Sequence, residues 1–425
     1  MAKGVRDIKK KGILIGIIAS FMLIGIAVFT KGMADQANKK TQIFVSSKAL
    51  DKASASKPVI KRTEIVPLSK TDEIQEKQFN NASIKENEEK VSNKNQVEVT
   101  RNQHKTNFFS AQKNNEINFR NTGNSIIRER TLNSMKLTGN YIKSYFLKND
   151  FKGYLDWPAA AMYSIERSSE PDNYKKALDW KEKEIKEGND FDAERATDYQ
   201  RTIIGILSVG KNPKSFAGIN FVEAVIKSQT ASGKFADTIQ GKGEKLLNSH
   251  IWGIISLYCA GERISNSERA YDWLISRQNS DGGFGIFTGA KSDMDMTGMA
   301  LVGFSALGKN KNDKEVKKAV EFIKSRQSSS GGFEIFGQEN PDTASAVVQG
   351  LVAIGIDPTS EEWIKEKDKN MIDFIISFQL SDGSFSHIRG GEADMMATTR
   401  ALTALADYYN LKSVYQVIRE SSAGK

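Results

Sequence analysis

Three acidic pairs stand at or just before apolar, Ala- and Met-rich segments: Asp293 and Asp295 in S-D-M-D-M-T, Glu339 and Asp342 in Q-E-N-P-D, and Glu392 and Asp394 in G-G-E-A-D. Paired carboxylates can divide acid and base roles between them, and an acid held in a dry, hydrogen-bonded setting keeps its proton until a substrate takes it. The same groups can bind a cation, or flank a scissile bond as in a glycosidase or lyase, a role that depends on a separation the chain spacing does not fix. An Asp that opens a helix is, equally, an ordinary N-cap or partner of the helix dipole. Which of these holds depends on the elements that carry the acids.

Those elements repeat. The pattern Gln-x3-Gly-x-Phe occurs at Gln229-Gly233-Phe235, Gln278-Gly282-Phe284, Gln327-Gly331-Phe333 and Gln379-Gly383-Phe385. Gly210, Gly261, Gly308 and Gly355 form a second series, each following an apolar stretch where a left-handed helix terminator is expected. A period near 50 residues also fits a kelch propeller. The segments between the glycines exclude that: in D-T-A-S-A-V-V-Q-G-L-V-A-I-G the apolar residues Ala344, Val347, Val348, Leu351 and Val352 follow helical spacing. Each unit reads as an outer helix with Trp and charge, ending near Ser-x-Gln, then a Gly-Phe loop and a uniformly apolar inner helix. The glycines supply positive-φ turns, Asp281 and Asp382 can bond the loop backbone, Phe plugs the loop, and Gln can bond free helix-terminal groups. Further pairs fall at about 135–168 and 174–209, which makes six helical hairpins.

The remainder of the chain has a different texture. Residues 1–11 are a basic tail, and residues 12–30 (G-I-L-I-G-I-I-A-S-F-M-L-I-G-I-A-V-F-T) form an uncharged apolar run long enough to cross a bilayer once. Basic residues ahead of the run predict a cytosolic N-terminus and an extracellular remainder, single-pass at the cell membrane. Gly32 and Ala34 leave signal-peptide cleavage, and hence secretion, as the alternative. Residues 31–122 are rich in Lys, Asn, Gln, Ser and Glu and read as a disordered polar stalk. The net charge of +9 sits there: residues 1–150 hold 27 Lys and Arg against 14 Asp and Glu, the rest 34 against 38. That distribution favours anionic lipid head groups or wall polymers as partners, and with no base-reading element it argues against nucleic acid. The single Cys259 permits no internal disulfide, so an exported domain must rely on its core.

Residues 123–425 read as the folded domain, and most of 135–425 resembles the prenyltransferase and squalene-cyclase repeat proteins, whose repeat motif is a Gln, a Gly pair and an aromatic. D-Y-Q-R-T (198–202), G-K-N-P (210–213), G-I-N-F-V-E (218–223), S-D-M-D-M-T-G-M-A-L (292–301) and G-G-E-A-D-M-M-A-T (390–398) look like the bacterial cell-surface branch. The resemblance implies an all-α fold, an (α/α)6 toroid of two concentric helix rings. It also implies several chemistries. Class II terpene cyclases use Asp-x-Asp-Asp-Thr, and Asp293-Met294-Asp295-Met296-Thr297 is similar, placing Asp295 at the proton-donor position with Asp293 beside it; the third acid is replaced by Met296. Protein prenyltransferases hold zinc through Asp, Cys and His, but Cys259 lies in an apolar stretch and the histidines are His104, His250 and His387, so neither metal nor cofactor is expected. Cys259-Ala-Gly-Glu262 has Glu where a thioester needs Gln.

With all inner helices starting at one rim, His250, Trp252, Asp293, Asp295, Glu339, Asp342, His387, Glu392 and Asp394 would ring one mouth and could bind a polar ligand, a cation or an amino-bearing component. The competing reading is a solvated rim of caps and loops. The expectation is a membrane-tethered extracellular toroid acting as a ligand-binding or scaffold module. The alternatives are an enzyme acting on an isoprenoid, cyclase-like or prenyltransferase-like, and a cobalamin-binding protein.

Overall fold

The computed structural model describes residues 125–166, 174–189, 191–335, 337–366 and 369–422. The expected membrane segment 12–30 and stalk 31–122 lie outside them. Among the described residues no helix is long and apolar enough to cross a membrane.

Among the described residues, six outer helices alternate with six inner ones in chain order. The outer helices are α1 (Ser125–Lys148), α3 (Lys175–Glu187), α5 (Phe221–Lys227), α7 (Ser267–Ile275), α9 (Lys314–Arg326) and α11 (Met371–Ile376). The inner helices are α2 (Trp157–Ile165), α4 (Ala196–Ser208), α6 (Leu247–Cys259), α8 (Met294–Ala306), α10 (Pro341–Ala353) and α12 (Met395–Asn410). Each inner helix packs on the next, and α12 packs back on α2, so the inner ring closes into an α/α toroid. Inner helices are buried on both sides: every residue of α10, and all of α8 but its last, is out of solvent. That is why they lack the polar stripe of a surface helix. Outer helices bury one face only, as in α9, where Val316, Ala319, Val320, Phe322 and Ile323 point inward.

The closest inner contact is α8 against α10. A Cβ on Gly298 would stand 2.6 Å from the Ala346 carbonyl oxygen, and Ser305 Oγ, two turns on, donates to the Ala353 carbonyl at 2.7 Å. The two helices therefore run parallel, with their N-termini at the same mouth.

The repeated loop does the fastening. Gly233, Gly282, Gly331 and Gly383 have φ between 88° and 92°, and each presses its Cα against the outer helix of the following unit. A Cβ on Gly282 would lie 2.3 Å from the Lys318 carbonyl oxygen of α9; one on Gly383 would lie 2.4 Å from the Leu137 carbonyl oxygen of α1, which joins the last unit to the first. The glutamines bridge the same seam. Gln278 Nε2 donates to the carbonyls of Gly282 (2.9 Å) and Glu315 (2.8 Å), and Gln379 Nε2 reaches Ser134 O and Thr138 Oγ1 on α1. Phe235, Phe284, Phe333 and Phe385 are fully buried beneath the loops. Gly210, Gly261, Gly308 and Gly355 all take positive φ just past inner helices, as their spacing predicts.

The first two units lack this loop and are joined by buried ions instead. Lys181 Nζ of α3 meets Asp156 Oδ1 at 3.1 Å, and Arg201 Nε of α4 meets the same oxygen at 3.2 Å. Burial alone would raise the Asp156 pKa, but Arg201 and Lys181 outweigh it and hold the carboxyl below its ordinary range.

After α12 the chain turns into α13 (Val414–Ser422), which lies across the C-terminal ends of the inner ring. Asp407 Oδ1 accepts from Val414 N–H at 2.7 Å, Gln416 Nε2 donates to Ser305 Oγ and the Ala353 carbonyl, and Arg419 Nη1 donates to the Tyr258 carbonyl. This end of the hollow is stoppered.

Replacing Gly282 by Ala combines a left-handed conformation with a backbone collision, and should destabilise the fold by about 2–4 kcal/mol. Gln278→Ala, which leaves two carbonyls without a partner, should lose about 1–2 kcal/mol. Denaturant unfolding of the two variants checks the order; a Gly282→Ala variant as stable as wild type would contradict the loop's fastening role.

Candidate functional site

At the open mouth the second residue of three inner helices is buried against the hollow: Asn248 on α6, Asp295 on α8 and Asp342 on α10. The capping duties fall two positions earlier, on the residue just before α8, α10 and α12. Asp293 accepts from Met296 N–H at 2.9 Å, Asn340 from Asp342 and Thr343 N–H, and Asp394 from Ala397 N–H at 2.8 Å. The N-cap reading thus fits Asp293 and Asp394. It does not fit Asp295 or Asp342, whose carboxylates are turned into the ring.

What they meet there is Arg400 of α12. Its Nη1 donates to Asp295 Oδ2 at 3.1 Å, and its Nε stands 3.9 Å from Asp342 Oδ1. Asp295 and Asp342 are 1 % and 2 % exposed. Asp342 Oδ2 is also bonded to His387 Nδ1 at 2.7 Å, and His387 Nε2 lies 3.1 Å from Asn340 Nδ2. Because Asn340 Oδ1 is used as the helix cap, its amide nitrogen is the end that faces His387. Neutral His387 therefore carries its proton on Nδ1. The Asp342 bond raises the His387 pKa, against the opposing pull of burial.

Four carboxylates so close together repel. Burial and the neighbouring Asp295 charge push Asp293 up to about 7. Asp394 is raised too, by burial and by Asp342. Arg400 and His387 are the positive groups that face them.

The remaining expected rim residues are placed elsewhere. Glu339 sits at the outer edge, ion-paired with Arg389. Glu392 is exposed in the loop before α12. His250 is not at the rim: it is fully buried, with Nδ1 accepting from Phe235 N–H at 3.0 Å and Nε2 at 3.0 Å from the Ala270 carbonyl. Burial lowers its pKa to about 3. It does for Phe235 what the Thr297 and Thr398 hydroxyls do for the N–H groups of Phe284 and Phe385, and so belongs to the loop fastening. Trp252 does reach the hollow, packing on Trp157 (ring centroids 4.7 Å apart) and on Tyr415. Cys259 is buried with its pKa raised by desolvation, and its Sγ lies 3.6 Å from the Tyr415 carbonyl.

Among the described residues, the spaces found at the inner helices are small. Trp157, Trp252, Met299, Gln349, Arg400 and Tyr415 line a space of about 30 Å³. A second space of about 10 Å³ adjoins Asp295, Asn248, Met296 and the same Trp252, Met299 and Arg400. The first holds about two or three waters and the second about one.

Arg400, Asn340, Gln349 and Tyr415 were not singled out in the sequence. Arg400 left a signal: a lone charge inside A-T-T-R-A-L-T-A-L, an inner helix otherwise buried, requires a buried counter-charge.

A family model described as the prenyltransferase alpha-alpha toroid domain matches residues 193–354 and 300–422, more than half the chain. Comparison with curated proteins gives no match. Among solved structures, the Candida albicans protein geranylgeranyltransferase-I, complexed with GGPP, is 14 % identical with a TM-score of 0.47, covering 68 % of this chain and 98 % of that one. A type II terpene cyclase from Scytonema is 12 % identical with a TM-score of 0.47, covering 66 % and 99 %. The unsaturated glucuronyl hydrolase of Bacillus sp. GL1 is 13 % identical with a TM-score of 0.43, covering 65 % and 96 %.

Asp293 offers a test of the crowded mouth. Its raised pKa means that stability is lost as pH climbs from the ordinary carboxyl value near 4 through about 7, because the fold must then carry the charge. Asp293→Asn keeps the cap, as Asn340 does next door, and removes the repulsion. The variant should match wild type near pH 4 and exceed it at pH 8 by at most about 4 kcal/mol, an upper limit because part of the carboxyl meets solvent. Paired unfolding curves at the two pH values measure this, and a pH-independent difference would count against the crowding.

Proposed function

Since the chain belongs to the prenyltransferase alpha-alpha toroid domain family, a fold compatible with many activities, we propose that it is a binding or scaffold module whose ligand is met at the mouth lined by Asp295, Asp342, His387 and Arg400. The observation that carries this reading is the small size of the spaces at the inner helices. An isoprenoid of several units cannot enter a space of about 30 Å³, and Arg400, Trp157, Trp252 and Tyr415 would all have to move to admit one. The stopper helix α13 supports the same view, since its buried hydrogen bonds hold the opposite end shut.

In this reading residues 12–30 anchor the chain in the cell membrane and residues 31–122 form a basic stalk beside anionic lipid head groups or wall polymers. The toroid is carried outside. Protease added to intact cells should release it, and a toroid protected until the cells are lysed would reverse the orientation.

A second reading, an isoprenoid cyclase or transferase, is favoured by one feature: Asp295 faces a hollow walled by Trp157, Trp252 and Tyr415, side chains that can stabilise a cation. The purified full-length chain, incubated with geranylgeranyl diphosphate and with squalene, is expected to consume neither. Turnover that disappears in Asp295→Asn would replace the binding module with that enzyme. Native mass spectrometry of the chain with a corrinoid separates both from cobalamin capture, for which no bound corrinoid is expected.

A further inference from the structure

Asp295 is paired on one oxygen only. Oδ2 takes the Arg400 guanidinium, while Oδ1, on a side chain 1 % exposed, has no hydrogen-bond partner. A buried carboxylate oxygen without a donor is an expensive arrangement, and a donor from outside the chain would relieve it. Asp295 borders the space of about 10 Å³, which fits a head group of one heavy atom. Its other walls are Asn248, Ile251, Trp252, Met296, Met299 and Arg400, the last already paired with Asp295 Oδ2. An aromatic face beside a carboxylate is a setting for an organic cation, whereas a hard metal ion requires several oxygen ligands. The wider space of about 30 Å³ shares Trp252, Met299 and Arg400 with the first, so the two lie side by side.

Charge points the same way. Asp295 and Asp342 share the single Arg400 guanidinium, so carboxylates outnumber their guanidinium partner, and Asp342 Oδ1 also lacks a hydrogen bond. The N-termini of α8 and α10 offset part of that excess. One further cation would complete it.

We propose that the mouth is a receptor site for a primary ammonium group, its N–H donors meeting Asp295 Oδ1 beside the Trp252 ring and its short alkyl stem passing along Met299. This rests on the binding-module reading above and names the chemical class of its ligand. An ammonium supplies the donors that Oδ1 lacks and is no larger than a water molecule. A quaternary ammonium has no N–H and exceeds the space.

The test is a thermal-shift titration of the full-length chain with ethylammonium chloride at constant ionic strength, against sodium chloride and tetramethylammonium chloride. Ethylammonium is expected to raise the melting temperature saturably, and the two controls to leave it unchanged. Asp295→Asn should weaken the ethylammonium response by at least about tenfold, and Trp252→Leu by several-fold. If Asp295→Asn no longer melts cooperatively, Trp252→Leu, which leaves the ion pair intact, decides. Equal shifts from all three salts, no shift from ethylammonium, or an undiminished response in the variants would overturn the ammonium site. The same preparation is assayed for consumption of geranylgeranyl diphosphate: no ammonium response and no turnover removes the ammonium site and leaves the binding module standing, whereas turnover removes the module itself.

Discussion

The contact between a loop glycine and the outer helix of the next unit is the constraint from which the rest of the toroid follows. At Gly233, Gly282, Gly331 and Gly383 the chain must turn with positive φ while its Cα touches the neighbouring backbone, and both demands exclude a side chain. Repeated at a nearly constant interval, the contact sets the angle between units, and Gly383 against Leu137 closes the circle. Units without the loop need a substitute, which Lys181, Asp156 and Arg201 supply as a buried ion network. The two solutions differ in kind: the glycine seam excludes volume, whereas the ion network tolerates no unpaired member.

A closed ring of parallel inner helices has an electrostatic consequence. The N-termini gather at one mouth, where their partial positive charges favour carboxylates as caps and dipole partners. α8, α10 and α12 are each capped by their own acid or amide, but together the acids crowd. Asp293 and Asp394 hold their protons more tightly than isolated carboxyls do, and Arg400 is drawn across the hollow to Asp295 and Asp342. The same guanidinium that relieves the crowding also narrows the space a long substrate would need. Narrowing the hollow and balancing the mouth are therefore one event.

His250 and Asp295 show where residue type misleads. A histidine near three acidic pairs reads as a rim ligand, yet both its nitrogens are committed to backbone groups of the loop fastening, in the place where other units use threonine. An aspartate opening a helix reads as a cap, yet the cap is Asp293, and a shift of two residues turns Asp295 inward. For the aspartates two positions, some 200° of rotation, separate the cap from the inward-facing side chain; His250 stands at the fourth helical position, the one Thr297 and Thr398 occupy in their units, and that position assigns it to the scaffold.

The sequence by itself determined the helical hairpins, their number, the glycine turns and the burial of the loop phenylalanines, because these depend on local periodicity and on conformations that few residues can adopt. It also marked most of the acids at the mouth, since helix starts are legible from caps and composition. Only the tertiary structure decided that Arg400 pairs with Asp295, 105 positions away in the chain, that His387 is held by Asp342, and that α13 stoppers the far end. These contacts join separate units across the hollow, and their partners are fixed by ring closure, a property of the whole circle that no single repeat encodes.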